Sequence, residues 1–175
     1  MNIFFFNCKV RFARHDLIYD GESLSDYHIT HWFVDNGLAT EIEALAMKEQ
    51  IFNDIYYWES IPPKKNAIEV IERLNKKHML LFATDAITIS NEAPLVGKKR
   101  WFKRFMPFVN MEQLVFIRNK SLLKADMIIE DQIDQVKDFK GEVILFNYSY
   151  NKDYKDCYRV TGWKMLEELL EKVIK

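Results

Sequence analysis

Cysteine is scarce in this sequence. Among 175 residues only Cys8 and Cys157 are cysteines. They make no CxxC pair and no metal-ligand spacing, so free thiols in a reducing compartment are expected. Net charge is nearly absent as well: 25 Lys and Arg against 26 Asp and Glu leave -1 at pH 7. Non-specific nucleic-acid affinity needs clustered cationic charge, so no nucleic acid is expected as a partner. Long apolar runs are missing. The first, "IFFF" at 3–6, is too short for a signal-peptide core, and no basic residue precedes it. No segment approaches the length of a membrane span. No internal repeat or low-complexity tract is evident. A soluble, cytoplasmic chain without membrane contact is expected.

What is present is core material, with 49% hydrophobic and 14% aromatic residues. Length favours one domain with a small insertion. Ile3–Phe6 is short, aromatic and unalternating, as in a strand covered on both faces. From 16 to 60 the pattern changes. "TEIEALAMKEQIFNDIYYW" places Ile42, Leu45, Ala46, Ile51, Phe52 and Ile55 close to helical spacing, so 16–60 reads as a helical insertion. A helix is expected to start after Pro62 and Pro63, with Ile68, Ile71 and Leu74 on its apolar side. "MLLFAT", "QLVFI", "ADMIIED" and "EVILF" read as further strands. Between them lie a loop with Asn91 and Pro94, the helix "VGKKRWFKRFM" and a short helix in "QIDQVKDF". "GWKMLEELLEKVIK" closes the chain as an amphipathic helix with Trp163, Leu166, Leu169, Leu170 and Val173 on one side.

Strands alternating with helices imply βαβ units and a mainly parallel sheet. In such sheets the site lies at the carboxyl ends of the strands. The residues there are Asn7 and Lys9, Thr84 and Asp85, Arg118 to Lys120, Glu130 and Asp131, and Asn147.

Several stretches now carry a resemblance. "GKKRWFKRFMPFVNMEQLVFIRNKSLLKADMIIEDQI" joins an aromatic, basic helix to a strand ending near a lysine, then "AD", an aliphatic pair and an acidic pair. With "IPPKKNAIEVI", "MLLFAT", "ILFNYSYN" and "GWKMLEELL" in order around it, the chain resembles the haloacid dehalogenase superfamily. Within that superfamily it resembles the 5'(3')-deoxyribonucleotidases, phosphatases of nucleoside monophosphates. The resemblance implies a three-layer α/β/α, Rossmannoid fold with a mainly parallel sheet. It makes 1–15 and 61–175 the core and 16–60 a small helical cap.

The family's chemistry uses four groups. A DxD pair after the first strand supplies a nucleophile that forms an aspartyl phosphate and an acid/base that serves the leaving oxygen and then water. A Thr or Ser after the second strand and a Lys before the fourth hold the phosphoryl oxygens. Carboxylates after the fourth strand help hold Mg²⁺. By resemblance Thr84 and Lys120 are the phosphate-binding residues, and Glu130 and Asp131 the acidic pair, with Asp131 the metal candidate.

The first group departs from the pattern. Asn7 stands at the nucleophile position and Lys9 at the acid/base position; Val10 replaces the usual glycine, and Arg11 and Arg14 further usual residues. A neutral amide is a poor nucleophile and a weaker Mg²⁺ ligand than a carboxylate. An ammonium group with a reference pKa of about 10.4 is not a proton donor of matched strength. Lys9 would sit close to Glu130 and Asp131 and could replace the charge of Mg²⁺ by a salt bridge. Asp85, where these nucleotidases often have Ser, would repel a bound phosphate. The expectation is an inactive homologue with no resident cofactor; Mg²⁺ is implied only for an active one.

Other residues have plainer readings. Thr84 is a β-branched residue that could simply end a strand, and Lys120 could be a solvated loop lysine. Strand alternation turns Cys8 away from the site. His28 and His31 are three apart but lack an obvious third ligand. In "KKRWFKR", Trp101 and Phe105 should face the core and leave the charges on a solvated face. His15, Trp32 and Phe52 are cleft-facing or base-stacking candidates; the cap aromatics Trp32, Phe52, Tyr56, Tyr57 and Trp58 could include a base-stacking residue, while most of them read as cap core.

Three functions stay open: a pseudoenzyme with a nucleotide or phosphate cleft, an active nucleotidase with an atypical first motif, and an interaction protein whose cleft is closed. The expected partner is a nucleotide or phosphate ligand or an unidentified protein, and the chain is a monomer or homodimer.

Overall fold

A computed structural model describes residues 29–85 and 92–174. Three helices come first: α1 (Ile29–Asp35), α2 (Glu41–Phe52) and α3 (Ile55–Ser60). The long helical stretch read from the sequence is therefore divided. Asn53 ends α2, and the Asp54 side chain caps α3 by accepting from the Tyr56 amide. Asp is a strong N-cap because its carboxylate satisfies an orphan N–H. Thr40 and Glu43 form a reciprocal capping box at the start of α2.

Helix α4 (Ala67–Lys77) begins later than the prolines suggested. Pro62 and Pro63 lie in an irregular segment, and Asn66, with φ at 62°, turns the chain into the helix. Its buried face is Ala67, Val70, Ile71 and Leu74. Strand β1 (Phe82–Thr84) follows. Helix α5 (Ala93–Phe105) starts earlier than expected, because Pro94 sits in its first turn, where no N–H is needed. Strands β2 (Leu114–Phe116), β3 (Met127–Glu130) and β4 (Glu142–Phe146) fall in the expected segments. The expected helix in "QIDQVKDF" is only a 3₁₀ turn, Ile133–Gln135. A strand that the sequence reading lacked, β5 (Tyr158–Val160), precedes α6 (Trp163–Val173).

The described strands pair in parallel, β1 with β2 and β3 with β4 with β5. In the central strand β4, consecutive Ile144, Leu145 and Phe146 are all buried, which requires cover on both faces. On one face α5 meets β1 through Phe102 on Phe82, and α6 meets β4 through Trp163 on Phe146. These residues share one continuous apolar core with α4. A smaller cluster of Ile128, Val136 and Phe139, with Val143 beside it, covers the other face. This is a parallel α/β architecture with packing on both sides of the strands.

Helix α3 packs closely on α5. A Cβ added at Gly97 would lie 2.5 Å from Trp58 Cβ and 2.7 Å from the Ile55 carbonyl. The absence of a side chain at Gly97 is what permits this approach. Trp101 Nε1 also donates to the Ile61 carbonyl at 2.5 Å. None of the described helices is long and apolar enough to cross a membrane.

Candidate functional site

The carboxyl ends of β1 and β3 and the turn after β2 converge on a buried polar cluster. Thr84, Lys98, Lys120, Glu130 and Asp131 are all buried. Burying charge is costly unless it is paired, so this density needs local causes.

The first cause is at β1. Lys98 Nζ donates to Thr84 Oγ1 at 3.0 Å and to the Asp85 carbonyl. It also lies 4.8 Å from the centre of the Trp58 ring. Burial pushes this ammonium group down to about 7; the Lys120 charge acts in the same direction and Asp85 against it. Lys98 corrects the sequence reading, which left the charges of "KKRWFKR" on a solvated face. It lies three residues before Trp101 and four before Phe102, on the stripe that α5 buries. That spacing was the available signal. The core stripe also centres on Trp101 and Phe102, with Phe105 only partly buried.

The second cause is at β3. Lys120 opens a 3₁₀ turn after β2 and is no solvated loop lysine: it and Glu130 are both 0% exposed. Lys120 Nζ donates to Glu130 Oε2 at 2.9 Å. Asp131 beside it is held differently. Tyr150 Oη donates to Asp131 Oδ2 at 2.7 Å, and Asn151 Nδ2 donates to the Asp131 carbonyl at 2.7 Å. Asp131 Oδ1 is buried without a hydrogen-bond partner. Burial first, and then the negative charge of Glu130, push the Asp131 carboxyl up to about 7, while the Tyr150 hydrogen bond opposes them.

Tyr150 was not legible as a site residue. It stacks on Tyr148, with rings 5.2 Å apart and 5° from parallel, and Tyr148 in turn accepts from Lys64. Asn147, at the end of β4, accepts from Arg159 at 2.9 Å. Arg118 is mainly exposed and approaches Asp85 at 3.7 Å.

A hollow of about 340 Å³ lies elsewhere, at the amino ends of β4 and β5, between Phe139, Val143 and Tyr154. The buried polar cluster sits at the opposite strand ends.

A profile of the family described as 5' nucleotidase, deoxy (pyrimidine), cytosolic type C protein matches residues 21–175. The chain belongs to this family. As a member of the 5' nucleotidase family it is also 26% identical, over 93% of its own length and 85% of the relative's, to a Staphylococcus epidermidis protein named provisionally as a 5'(3')-deoxyribonucleotidase. It is 31% identical to the 5'(3')-deoxyribonucleotidase of Bacillus subtilis, with 60% of this chain and 62% of that protein matched. The same figures hold for the 5'(3')-deoxyribonucleotidase of Bacillus phage SPbeta. The α/β architecture is thus of haloacid dehalogenase type.

Of the residues singled out by resemblance to this nucleotidase family, Thr84, Lys120, Glu130 and Asp131 come together. Asn7, Lys9 and His15 lie outside the described residues, as does the expected salt bridge from Lys9; so do Cys8 and His28. Residues 7 and 9 also lie outside the matched 21–175. Trp32 falls in α1, but its side chain is outside the described ones. Phe52 is partly buried in an aromatic group with Tyr57 and Trp58, at 6.5 and 5.1 Å, and the Trp58 indole donates to its carbonyl. Tyr56, another of the cap aromatics, is 70% exposed. His31 is exposed.

Nucleotidases of this superfamily type typically use Mg²⁺. Among the described residues Asp131 Oδ1 is a carboxylate oxygen without a hydrogen-bond partner, and Glu130 Oε2 is engaged by Lys120. No group of three His, Cys, Asp or Glu residues that could hold a metal occurs among the described residues.

Proposed function

We propose that this member of the nucleotidase family binds the phosphate group of a nucleotide at its strand ends without hydrolysing it. The observation that carries the binding half is the burial of Lys98 and Lys120 beside Thr84. A hydroxyl and two ammonium groups in a low-dielectric setting suit a phosphoryl group far better than they suit an apolar core. The loss of turnover rests on Asn7 and Lys9, where the family's pattern calls for two aspartates. Neither residue attacks phosphorus or protonates a leaving oxygen at neutral pH. The ligand is a small nucleotide and not a nucleic acid, in keeping with the net charge of -1. The protein works in the cytoplasm, as a monomer or homodimer, and needs no metal.

Phosphate release from deoxy- and ribonucleoside monophosphates with Mg²⁺ tests this reading, with Asp131→Ala as control. The expected result is no release above background together with a raised melting temperature, since a ligand that binds only the folded state stabilises it. Release that disappears in Asp131→Ala overturns it in favour of an active nucleotidase with an atypical first motif. That second reading draws on family membership. Neither release nor stabilisation favours an interaction protein whose cleft is closed by ion pairing, a reading supported by the buried pair of Lys120 and Glu130.

A further inference from the structure

We propose that Glu130 is a built-in competitor for the anion site: its buried carboxylate occupies the Lys120 ammonium group and must swing away before a phosphate group can bind there. This inference rests on the reading that the strand ends take a phosphate group.

The geometry of the pair carries it. Lys120 Nζ and Glu130 Oε2 are 2.9 Å apart, and neither side chain has any exposed surface. At such a distance in a dry interior the two charges hold each other strongly, and each becomes a liability once the other is withdrawn. A phosphate oxygen and a carboxylate oxygen seek the same ammonium protons. An anion entering with Glu130 in place would also meet the like charges of Glu130 and Asp85.

Glu130 has one way to yield. Its backbone is fixed at the end of β3, in register with Leu145 of β4. The next carbonyl, that of Asp131, is held by Asn151 at 2.7 Å. Asp131 is itself tied to Tyr150 at 2.7 Å. The Glu130 side chain must therefore rotate, because the strand end cannot move with it. Lys98 donates to the Thr84 hydroxyl and the Asp85 carbonyl, which are neutral acceptors. Release of Glu130 is the step that frees Lys120 for a phosphate group.

Titration calorimetry with inorganic phosphate, on protein prepared phosphate-free, tests the inference. Wild type is compared with Glu130→Gln, Glu130→Asp and Lys120→Met. Glu130→Gln keeps the shape and a neutral acceptor but removes the competing charge. It is expected to bind phosphate roughly tenfold tighter than wild type or better, the scale of one good interaction released. It should also melt below wild type in phosphate-free buffer and gain more in melting temperature when phosphate is added. Glu130→Asp shortens the reach to Lys120 but keeps the charge, and should show a smaller gain. A folded Glu130→Gln that binds phosphate no better than wild type overturns the proposal. If that variant does not fold, an unchanged affinity in Glu130→Asp overturns it instead. The phosphate reading itself fails separately, if Lys120→Met binds as well as wild type or if no protein in the set binds at all.

Discussion

Two lysines lie buried at the same strand ends, yet they are held in opposite ways. Lys98 donates to the Thr84 hydroxyl and the Asp85 carbonyl and lies over the Trp58 ring face, with the charges of Asp85 and Lys120 acting on it from nearby. Lys120 is matched by a full negative charge on Glu130. The first arrangement leaves desolvation uncompensated, and burial brings the Lys98 ammonium group down to about 7. The second compensates charge with charge. A lysine held by dipoles can give up its proton, whereas a lysine held by a carboxylate leaves a second buried charge behind when it is removed.

The largest break in this comparison should come from removing one cation at a time. Lys120→Met strands Glu130 in the interior and should cost about 3–5 kcal/mol, as breaking a buried pair typically does. Lys98→Met removes a cation bonded to a hydroxyl and a carbonyl, not to a buried carboxylate, and should cost well under half of that. Urea unfolding of the two variants at pH 7 measures the difference. Equal losses would mean that the two sites are not held differently.

Second in size is the pH dependence that Lys98 contributes. Its folded pKa of about 7 lies below the ordinary lysine value of 10.5. Between those values the unfolded chain binds more protons than the folded one, so stability rises with pH across that window. The contribution is present above the unfolded pKa and is lost as pH falls through about 7. Unfolding free energies from pH 7 to 10 should climb by a few kcal/mol at most in the wild type, and this rise should be missing in Lys98→Met. An identical slope in both proteins would assign the rise to other groups.

The unequal treatment of the two lysines was only partly legible in the sequence. Strands β1 and β4 hold short apolar runs, and their consecutive buried residues follow from that pattern, as in "EVILF" at β4. Thr84, Lys120, Glu130 and Asp131 were found because they stand just after strands or beside a recognisable motif. Lys98 was missed because a lysine within a basic run reads as solvated. Its burial is decided by the helix face and by Gly97, which lets α3 close over it. Tyr150 was missed because nothing local ties it to Asp131, nineteen positions away. The β5 strand escaped because "YRV" is too short to show a period, and only its pairing with β4 makes it a strand. Such pairings are long-range, and a local pattern does not encode them.

A smaller effect should separate the two surroundings without touching either lysine. Gly97→Ala places a methyl group against Trp58 Cβ and the Ile55 carbonyl, at 2.5 and 2.7 Å before relaxation. Overpacking of this kind costs about 1–3 kcal/mol. Relief requires α3 to shift away from α5, which opens the side of Lys98 that Trp58 covers. Water admitted there should raise the Lys98 pKa and move the rise in stability to higher pH. A pH dependence unchanged in Gly97→Ala would mean that Trp58 does not shield Lys98.

The smallest change concerns Asp131, whose treatment lies between the two. Its Oδ2 has a neutral donor in Tyr150, while its Oδ1 is buried without a partner. Burial and Glu130 hold its carboxyl at about 7, against 3.8 in the unfolded reference. The folded state therefore binds the extra proton between those values, and stability is lost as pH rises through about 7. Tyr150→Phe removes the one hydrogen bond that favours the charged form. It should cost about 0.5–1.5 kcal/mol near neutral pH and less in acid, where the neutral carboxyl needs the bond less. The Asp131 pKa should move up from about 7, extending the loss of stability to higher pH. Carboxyl carbon NMR of labelled Asp131 follows that titration directly. A pKa that stays put or falls in Tyr150→Phe would mean that Tyr150 does not hold the charged form. Asp131 would then resemble Glu130, governed by neighbouring charge and not by a neutral donor.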